Sequence, residues 1–272
     1  MKKENPQLTP LLRGVTFIEC LALAAAGIGL FFLPEIAGPL WAWKIAPFNA
    51  GFLGAFYLAS LVAAGMMLVI GRWSPVRLVL PMLLTFTLIV LIGSLIHLAR
   101  FDYFDYSRWA TWAWFALYIF IPINSAYHLW LYRRLPPAEA LPTPPIWQTY
   151  LIVQGLVLGL YGIVMIVGAS ATTAFWPWPK IDDFHTQMYS AVGITAAIGG
   201  FMLIHVGSPS EFLTLGLIQI VFALFSVLDV VLKSSNPVVN YSAAGTLLWL
   251  GTFAVILLTG IGMILRWKHT RS

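Results

Sequence analysis

The chain has 272 residues, of which 60% are hydrophobic and only 9% are charged. A soluble domain carries roughly 25% charged residues, so this composition excludes a water-soluble protein and indicates that lipid is the surrounding solvent. The net charge of +5 does not indicate nucleic-acid binding, because the 15 basic residues are scattered among long apolar runs rather than collected in one stripe.

Eight apolar runs are each long enough to cross a membrane as a helix, which takes about 20 residues. In chain order they are Gly14–Leu33, Asn49–Ile70, Val76–Ala99, Trp109–Tyr132, Thr149–Ala169, His185–Val206, Glu211–Leu232 and Tyr241–Trp267. The connections between them hold proline, glycine and charged residues, which end helices. Pro81 and Pro122 lie inside runs, where neighbouring helices let proline be tolerated. The sequence therefore predicts an all-α integral membrane protein with eight transmembrane helices.

The basic residues support this count. If the N-terminus is cytoplasmic, ten of the 15 Lys and Arg residues fall on the cytoplasmic side and five on the outer side. This excess follows the positive-inside rule, and an odd number of spans would remove it. We therefore predict a protein of a bacterial-type plasma membrane with both termini in the cytoplasm.

The chain contains an internal repeat. A shift of 135 residues brings Trp41 and Trp43 onto Trp176 and Trp178, and several glycine, alanine and leucine positions match at shifts of 135 or 136. Each half holds four apolar runs, so both halves enter the membrane in the same direction, as parallel repeats. The predicted domains are a first four-helix repeat at residues 1–135, a proline-rich cytoplasmic linker at 136–148 and a second four-helix repeat at 149–272.

Both tryptophan pairs lie in the connection between the first and second runs of a half, at residues 37–52 and 170–187. On the predicted topology these connections face the outside. Tryptophan favours the headgroup level there, because its ring is apolar and its N–H can bind water. An interfacial aromatic belt is the structural interpretation. Residues 100–115 mix aromatic and charged side chains, and they fit either such a belt or a surface that gathers a substrate.

Small residues recur at every fourth position of the second run, at Gly51, Ala55, Ala59 and Ala63. The sixth run repeats the pattern with Ala191, Thr195 and Gly199. Small residues at this spacing let helix backbones approach closely in lipid. We therefore expect these two runs to form the packed centre of the protein.

Glu19, Gln154 and Asp229 are polar side chains inside apolar runs. Charges are costly at mid-membrane, so these side chains should face the helix bundle or a water-filled cavity. Proton coupling or cation coordination is one interpretation of Glu19 and Asp229. The structural alternatives are an interhelical hydrogen bond for Glu19, with Gln154 in the same role in the second half, and snorkelling or pairing with Lys233 for Asp229.

A second group of candidate residues is expected at the outer face, where aromatic, amide, histidine and carboxylate side chains come together. They are Trp41, Trp43, Asn49, His97, Asp102, Asp105, Trp176, Trp178, Asp182, Asp183 and His185. His97 and His185 are weak candidates as ligands of a divalent metal or a haem. Their spacing is unspecific, and His185 equally fits the start of a helix capped by Asp182 or Asp183. No cofactor is assigned from the sequence.

Three classes of function stay open. The first is a transporter of a small solute, an ion or a lipid, with a pathway between the repeats lined by Glu19, Gln154, His185 and Asp229. The second is a non-catalytic subunit or scaffold that packs against a protein partner in the membrane. The third and most remote is an intramembrane metal or haem redox protein that uses His97 and His185. Walker, GxSxG, dinucleotide-binding and kinase motifs are absent, so an enzyme is not favoured and no catalytic residue is assigned. Membrane lipids are the expected partners, and nucleic acid is not.

Overall fold

The structure is a computed structural model that describes residues 5–98, 103–167, 172, 176–177, 182–233 and 239–268. For residues 267 and 268 it describes the backbone only. Two of the predicted site residues, Asp102 and Trp178, lie outside the described residues. The long helices in the described part are α1 (Pro10–Phe32), α3 (Pro47–Ile70), α4 (Trp73–Ile96), α5 (Trp109–Tyr132), α6 (Pro145–Val167), α7 (Asp183–Met202), α8 (Pro209–Leu232) and α9 (Ala244–Lys268). A short helix, α2 (Pro34–Ala37), follows α1, and the two-residue strands β1 (Leu141–Pro142) and β2 (Val206–Gly207) pair antiparallel.

Six of the long helices are long and apolar enough to cross a membrane: α1, α3, α4, α6, α8 and α9. The chain is therefore nearly all helical and has the features of a multi-pass membrane protein, as its apolar runs predict. α5 and α7 also match predicted runs but fall outside this group of six. The tryptophans and tyrosines of α5 and the polar first turns of α7 lower their mean hydropathy, so eight spans stay a prediction.

Several helices begin earlier than the apolar runs predict. α1 begins at Pro10 instead of Gly14, because the Thr9 side chain accepts a hydrogen bond from the Leu12 amide and proline fits the first helical turn. α8 begins at Pro209, where Ser208 and Glu211 form a reciprocal capping box. α6 begins at Pro145, so the last four residues of the predicted linker, 145–148, are helical. Capping residues and proline determine where these helices begin, and the pattern of apolar residues does not predict those positions.

Neighbouring long helices pack in pairs. α1 packs against α3, α4 against α5, α6 against α7 and α8 against α9. Glycine allows two of these close approaches. A Cβ on Gly54 of α3 would meet the backbone of Phe31, and a Cβ on Gly193 of α7 would meet the backbone of Leu158 and Gly162. These pairs therefore use small residues for close backbone contact, as is typical of helices in lipid.

Two further contacts join the pairs at the centre of the bundle. α3 packs against α8, and α4 packs against α7. Gly51 of α3 lies against the side chain of Asp229, and Gly199 of α7 lies against Met82. Ala55, one turn after Gly51, is fully buried. One glycine of each predicted ladder, Gly51 and Gly199, therefore lies at a contact between helices.

The bundle has two ends, each formed by alternate connections. At one end, which we call the serine end, Ser74 at the start of α4 meets Ser208, the residue before α8. At the other, the tryptophan end, Trp43 packs edge-to-face against Phe104 and Phe184. Both ends thus tie the first four long helices to the last four.

The serine end holds a buried polar cluster. The Ser74 hydroxyl lies 2.5 Å from that of Ser208 and 2.7 Å from that of Ser210. Arg77 donates two hydrogen bonds to the Glu211 carboxylate, at 2.6 and 2.8 Å. Glu211 is fully buried, while the Arg77 side chain is 15% exposed. A bidentate guanidinium–carboxylate pair of this kind fixes the relative position of α4 and α8.

We predict that Arg77→Ala lowers the free energy of unfolding by about 3–5 kcal/mol, because it leaves the buried Glu211 carboxylate without its cation. Thermal unfolding of the purified protein in a mild detergent measures the change. The matched control is the double substitution Arg77→Met with Glu211→Met, which removes both charges and should recover most of the loss. Equal melting of Arg77→Ala and the parent would contradict a structural role for this pair.

Candidate functional site

A cavity of about 400 Å³ lies among α6, α7, α8 and α9. Its volume falls in the range of small-molecule sites, roughly 300–1,000 Å³. Two residues of the first four long helices, Phe52 and Met82, also border it. The remaining lining residues are Gln154, Val157, Leu158, Tyr161, Met165, Trp176, Tyr189, Val192, Gly193, Ala196, Leu215, Ile218, Gln219, Phe222, Leu248, Trp249, Thr252, Phe253 and Ile256.

The cavity wall is apolar and aromatic. No charged side chain lines it in the described part of the chain. On α6 the lining runs from Gln154 to Met165, which corresponds to about 16 Å of helix. A volume of 400 Å³ spread over that length describes a narrow, elongated space. Such a space suits a hydrocarbon chain or a flat ring system better than a hydrated ion.

Two lining residues that reach the surface mark the mouth of the cavity. Val157 on α6 is 54% exposed, and Leu248 on α9 is 60% exposed. Both lie within apolar helices that have the length and composition of membrane spans. The mouth therefore opens sideways, towards the medium that surrounds these helices.

The polar feature of the cavity is an amide pair. Gln219 of α8 donates a hydrogen bond of 3.0 Å from Nε2 to Oε1 of Gln154 on α6. Oε1 of Gln219 is buried and has no hydrogen-bond partner among the described residues. Thr252 also lines the cavity, but its hydroxyl donates to the Leu248 carbonyl of its own helix. Tyr150 of α6 also hydrogen-bonds the Gln219 side chain. The unused hydrogen-bonding group of the pair is therefore Oε1 of Gln219.

Aromatic rings close the other end of the cavity. Trp176 stacks on Tyr189 with ring centroids 5.6 Å apart, and it meets the ring of Phe52 edge-to-face at 5.3 Å. The ring centroids of Trp249 and Phe253 lie 4.2 Å apart. The Tyr189 hydroxyl donates to the Asn49 carbonyl, which holds this ring against α3. The cavity thus runs from an amide pair to an aromatic wall near the tryptophan end.

A much smaller void borders three of the first four long helices, α3, α4 and α5. A void of about 10 Å³ is lined by aromatic side chains of α3 and α5 together with residues of α4 and α7. Tyr57 and Tyr118 fill this region, and their hydroxyls lie 3.4 Å apart. Trp114 packs on Tyr118 at 4.2 Å. Large aromatic side chains therefore occupy the interior here, whereas the other four long helices leave theirs open.

At the tryptophan end, predicted outer-face residues come together around His185. Trp43 donates from Nε1 to Nε2 of His185 at 3.2 Å, so the imidazole proton lies on Nδ1 and faces Asp182 at 2.7 Å. Asp182 also caps α7 by accepting from the His185 amide. Burial opposes the charged form of Asp182, but the hydrogen bonds from His185 outweigh it and lower the pKa of this carboxyl. Both ring nitrogens of His185 are therefore engaged.

The second histidine, His97, is held separately. Its Nε2 lies 2.8 Å from the side-chain oxygen of Gln187. The Phe184 ring packs against both imidazoles, at 5.3 Å from each. The described residues contain no group of three or more His, Cys, Asp and Glu side chains that could hold a metal. The geometry therefore fits histidines held by hydrogen bonds and aromatic packing.

Three further predicted outer-face residues, Trp41, Asp105 and Asp183, have roles in packing, in a local ion pair and at a helix start. Trp41 packs against Trp43 at 5.5 Å. Asp105 accepts from Ser107 and pairs with Arg108, and the hydrogen bonds from Ser107 lower the pKa of its carboxyl. Asp183 is the first residue of α7, where a negative charge favours the helix dipole. These contacts agree with an aromatic and capping role at this end of the bundle.

Glu19 is buried in α1, and its Oε1 has no hydrogen-bond partner among the described residues. The same holds for Oγ1 of Thr16, one turn earlier on α1, and for Nδ2 of Asn124 and Oγ of Ser125 on α5. Gln154 makes the hydrogen bond between helices that the sequence predicts for the second half, whereas no such bond is seen for Oε1 of Glu19 among the described residues. Of the four residues predicted to line a pathway, Gln154 alone lines the large cavity.

Asp229 makes the ion pair with Lys233 that the sequence offered as one alternative. Lys233 also donates to the Pro47 carbonyl at 2.7 Å, which links the end of α8 to the start of α3. Gly51 leaves the space that these two side chains occupy. The contact therefore joins α3 and α8 near the tryptophan end.

We predict that Gly51→Ala lowers the free energy of unfolding by about 1–3 kcal/mol, because the added methyl group overlaps the Asp229 carboxylate. Gly65→Ala on the same helix is the matched control, since a Cβ there meets nothing within 4 Å. It should be neutral or stabilise by up to about 1 kcal/mol. Thermal unfolding of both variants measures the difference. Equal melting temperatures for Gly51→Ala and Gly65→Ala would refute close packing at Gly51.

Sequence reasoning missed most of the cavity. Tyr189, Gln219 and Trp249 were not singled out, although all three line it. Gln219 carried a usable signal, because an amide in the middle of an apolar run needs a partner. Tyr189 and Trp249 carried no such signal, since they look like ordinary lipid-facing or packing side chains, whereas Trp176 was predicted from the repeated tryptophan pair.

Comparison of the chain with protein-family models, with curated proteins and with solved structures finds no match.

Proposed function

We propose that the protein spans the membrane eight times, as two parallel four-helix repeats, and that it binds a lipid-like molecule in the large cavity. The repeats would comprise α1 and α3–α5 in the first half and α6–α9 in the second. Residues 133–144 would connect them. The lipid-handling branch of the predicted transporter class is the one favoured here.

Reciprocal packing supports the two repeats. The second helix of the first half, α3, packs against the third helix of the other half, α8; likewise α4, the third, packs against α7, the second. At the serine end the hydroxyl groups of Ser74 and Ser210 meet, and these residues are 136 positions apart, which is one of the two shifts of the repeat. Contacts between equivalent positions are expected across a two-fold axis.

The lengths of α5 and α7 support eight spans. With 24 and 20 residues they extend for about 36 and 30 Å, enough for a hydrocarbon core of about 30 Å. α5 packs along α4, and α7 packs along α6, which are both apolar enough to cross. Burial against these neighbours lets α5 and α7 carry polar and aromatic residues that a lone span would not.

The single observation that carries the function is the cavity of about 400 Å³, apolar and open at Val157 and Leu248. A lateral mouth in a membrane span admits molecules already dissolved in the bilayer. A hydrophilic solute or an ion would need a polar lining with access to water, which this wall does not offer. The contact between the two halves is closely packed at Gly51 and Gly199 and gives less support to a pathway there.

We predict that a long-chain neutral lipid probe with a photoreactive diazirine crosslinks to residues of the cavity on α6, α8 and α9. The substitution Ala196→Phe places a ring in the cavity and should reduce this crosslinking at least about five-fold, because Ala196 lines the space that the ligand needs. The protein is held in lipid nanodiscs, and the crosslinked residues are mapped by mass spectrometry.

The matched control is Ala25→Phe, which adds the same ring at an exposed position of α1. It should leave crosslinking in the cavity unchanged. Crosslinks spread evenly over exposed faces of α1 and α5, with no loss in Ala196→Phe, would refute the binding site.

A further inference from the structure

The amide pair restricts what can enter the cavity. A carboxylate, phosphate or ammonium headgroup would have to be buried there without a counter-ion, because no described lining residue is charged. Burial of an unpaired charge is costly. The proposed ligand is therefore neutral.

The same pair also favours a polar group on the ligand. Oε1 of Gln154 already accepts from Gln219, and Oε1 of Gln219 has no partner in the described part of the chain. A buried acceptor without a partner is uncommon and calls for a donor from a water or a ligand. A hydroxyl group supplies one donor and can in turn accept from an amide N–H of the pair.

The rest of the wall determines the direction of the ligand. On α6, Tyr161 and Met165 continue the lining for about 10–16 Å beyond Gln154. At that far end Trp176 stacks on Tyr189, and Trp249 packs against Phe253 with a tilted ring. Hydrocarbon fits this wall, while the polar atoms of the amide pair lie at the opposite end.

We propose that the ligand is a neutral lipid alcohol, whose hydroxyl group hydrogen-bonds the Gln154–Gln219 amide pair and whose hydrocarbon part extends towards Trp176 and Trp249. This inference rests on the proposed function and adds the headgroup chemistry and the orientation. Among the first four long helices, Tyr57 and Tyr118 fill the void that α3 and α5 border.

Competition against the photoreactive probe tests the headgroup. The competitors are octadecanol, its methyl ether, octadecane and octadecanoate, compared at equal mole fraction in the nanodisc bilayer. The alcohol should compete about ten-fold better than the ether, which keeps the oxygen but cannot donate, and the ether and octadecanoate should compete no better than the alkane. Equal competition by alcohol and alkane would overturn the inference.

Two variants connect this preference to the amide pair. Gln219→Leu, and the double substitution Gln154→Leu with Gln219→Leu, should abolish the difference between alcohol and ether while leaving alkane competition in place. Thr214→Val on α8 is the matched control, because its hydroxyl donates to the Ser210 carbonyl of its own helix and Thr214 is not among the lining residues of the cavity. A preference that survives in the double variant, or that disappears in Thr214→Val, would overturn the assignment.

The orientation has its own readout. A diazirine near the hydroxyl should crosslink α6 and α8 around Gln154 and Gln219, and one at the chain terminus should crosslink near Tyr189 and Trp249. The reverse pattern would overturn the orientation. If no probe reaches the cavity at all, the proposed function itself fails. If every probe reaches it with equal strength, the function stands and the headgroup assignment fails.

Discussion

Hydrocarbon offers no hydrogen bonds, and this constraint governs the arrangement of every polar group in the structure. Backbone groups are satisfied within long helices, so the chain is nearly all helical. Polar side chains then need partners inside the protein. Arg77 forms an ion pair with Glu211 at the serine end, and Lys233 forms one with Asp229 near the tryptophan end. The first pair joins α4 to α8, and in the second the Lys233 ammonium also donates to the Pro47 carbonyl and so links α8 to the start of α3.

The lipid environment also explains where the cavity lies. Without a hydrophobic drive between helices in lipid, close packing depends on small residues, and Gly193 and Gly199 provide it for α7. Where packing stops, between α6 and α9, an apolar space opens towards the membrane. The Gln154–Gln219 bond crosses this region and leaves one amide oxygen without a partner. This space is the basis of the proposed lipid-binding site.

Much of the fold could be predicted from the sequence, because the length of each apolar run follows from the thickness of the lipid bilayer. All eight predicted runs are matched by long helices in the described part of the chain. Helix starts were missed where Thr9, Ser208 and proline set them. The Asp229–Lys233 pair was foreseen, since one helical turn separates the two residues. The cavity was not, because the meeting of Gln154 with Gln219, 65 positions apart, depends on tertiary packing.

The central claim is that lipid surrounds eight crossing helices, and site-directed labelling tests it most directly. Cys20 is the single cysteine, so Cys20→Ala gives a background without thiols. Single cysteines are then placed at Ser107 and Ser242 of the tryptophan end and at Glu139 and His205 of the serine end, all exposed. An impermeant maleimide should label the first two positions from one side of the membrane and the last two from the other. Labelling of positions 107 and 139 from the same side would show that α5 does not cross, and it would contradict the account.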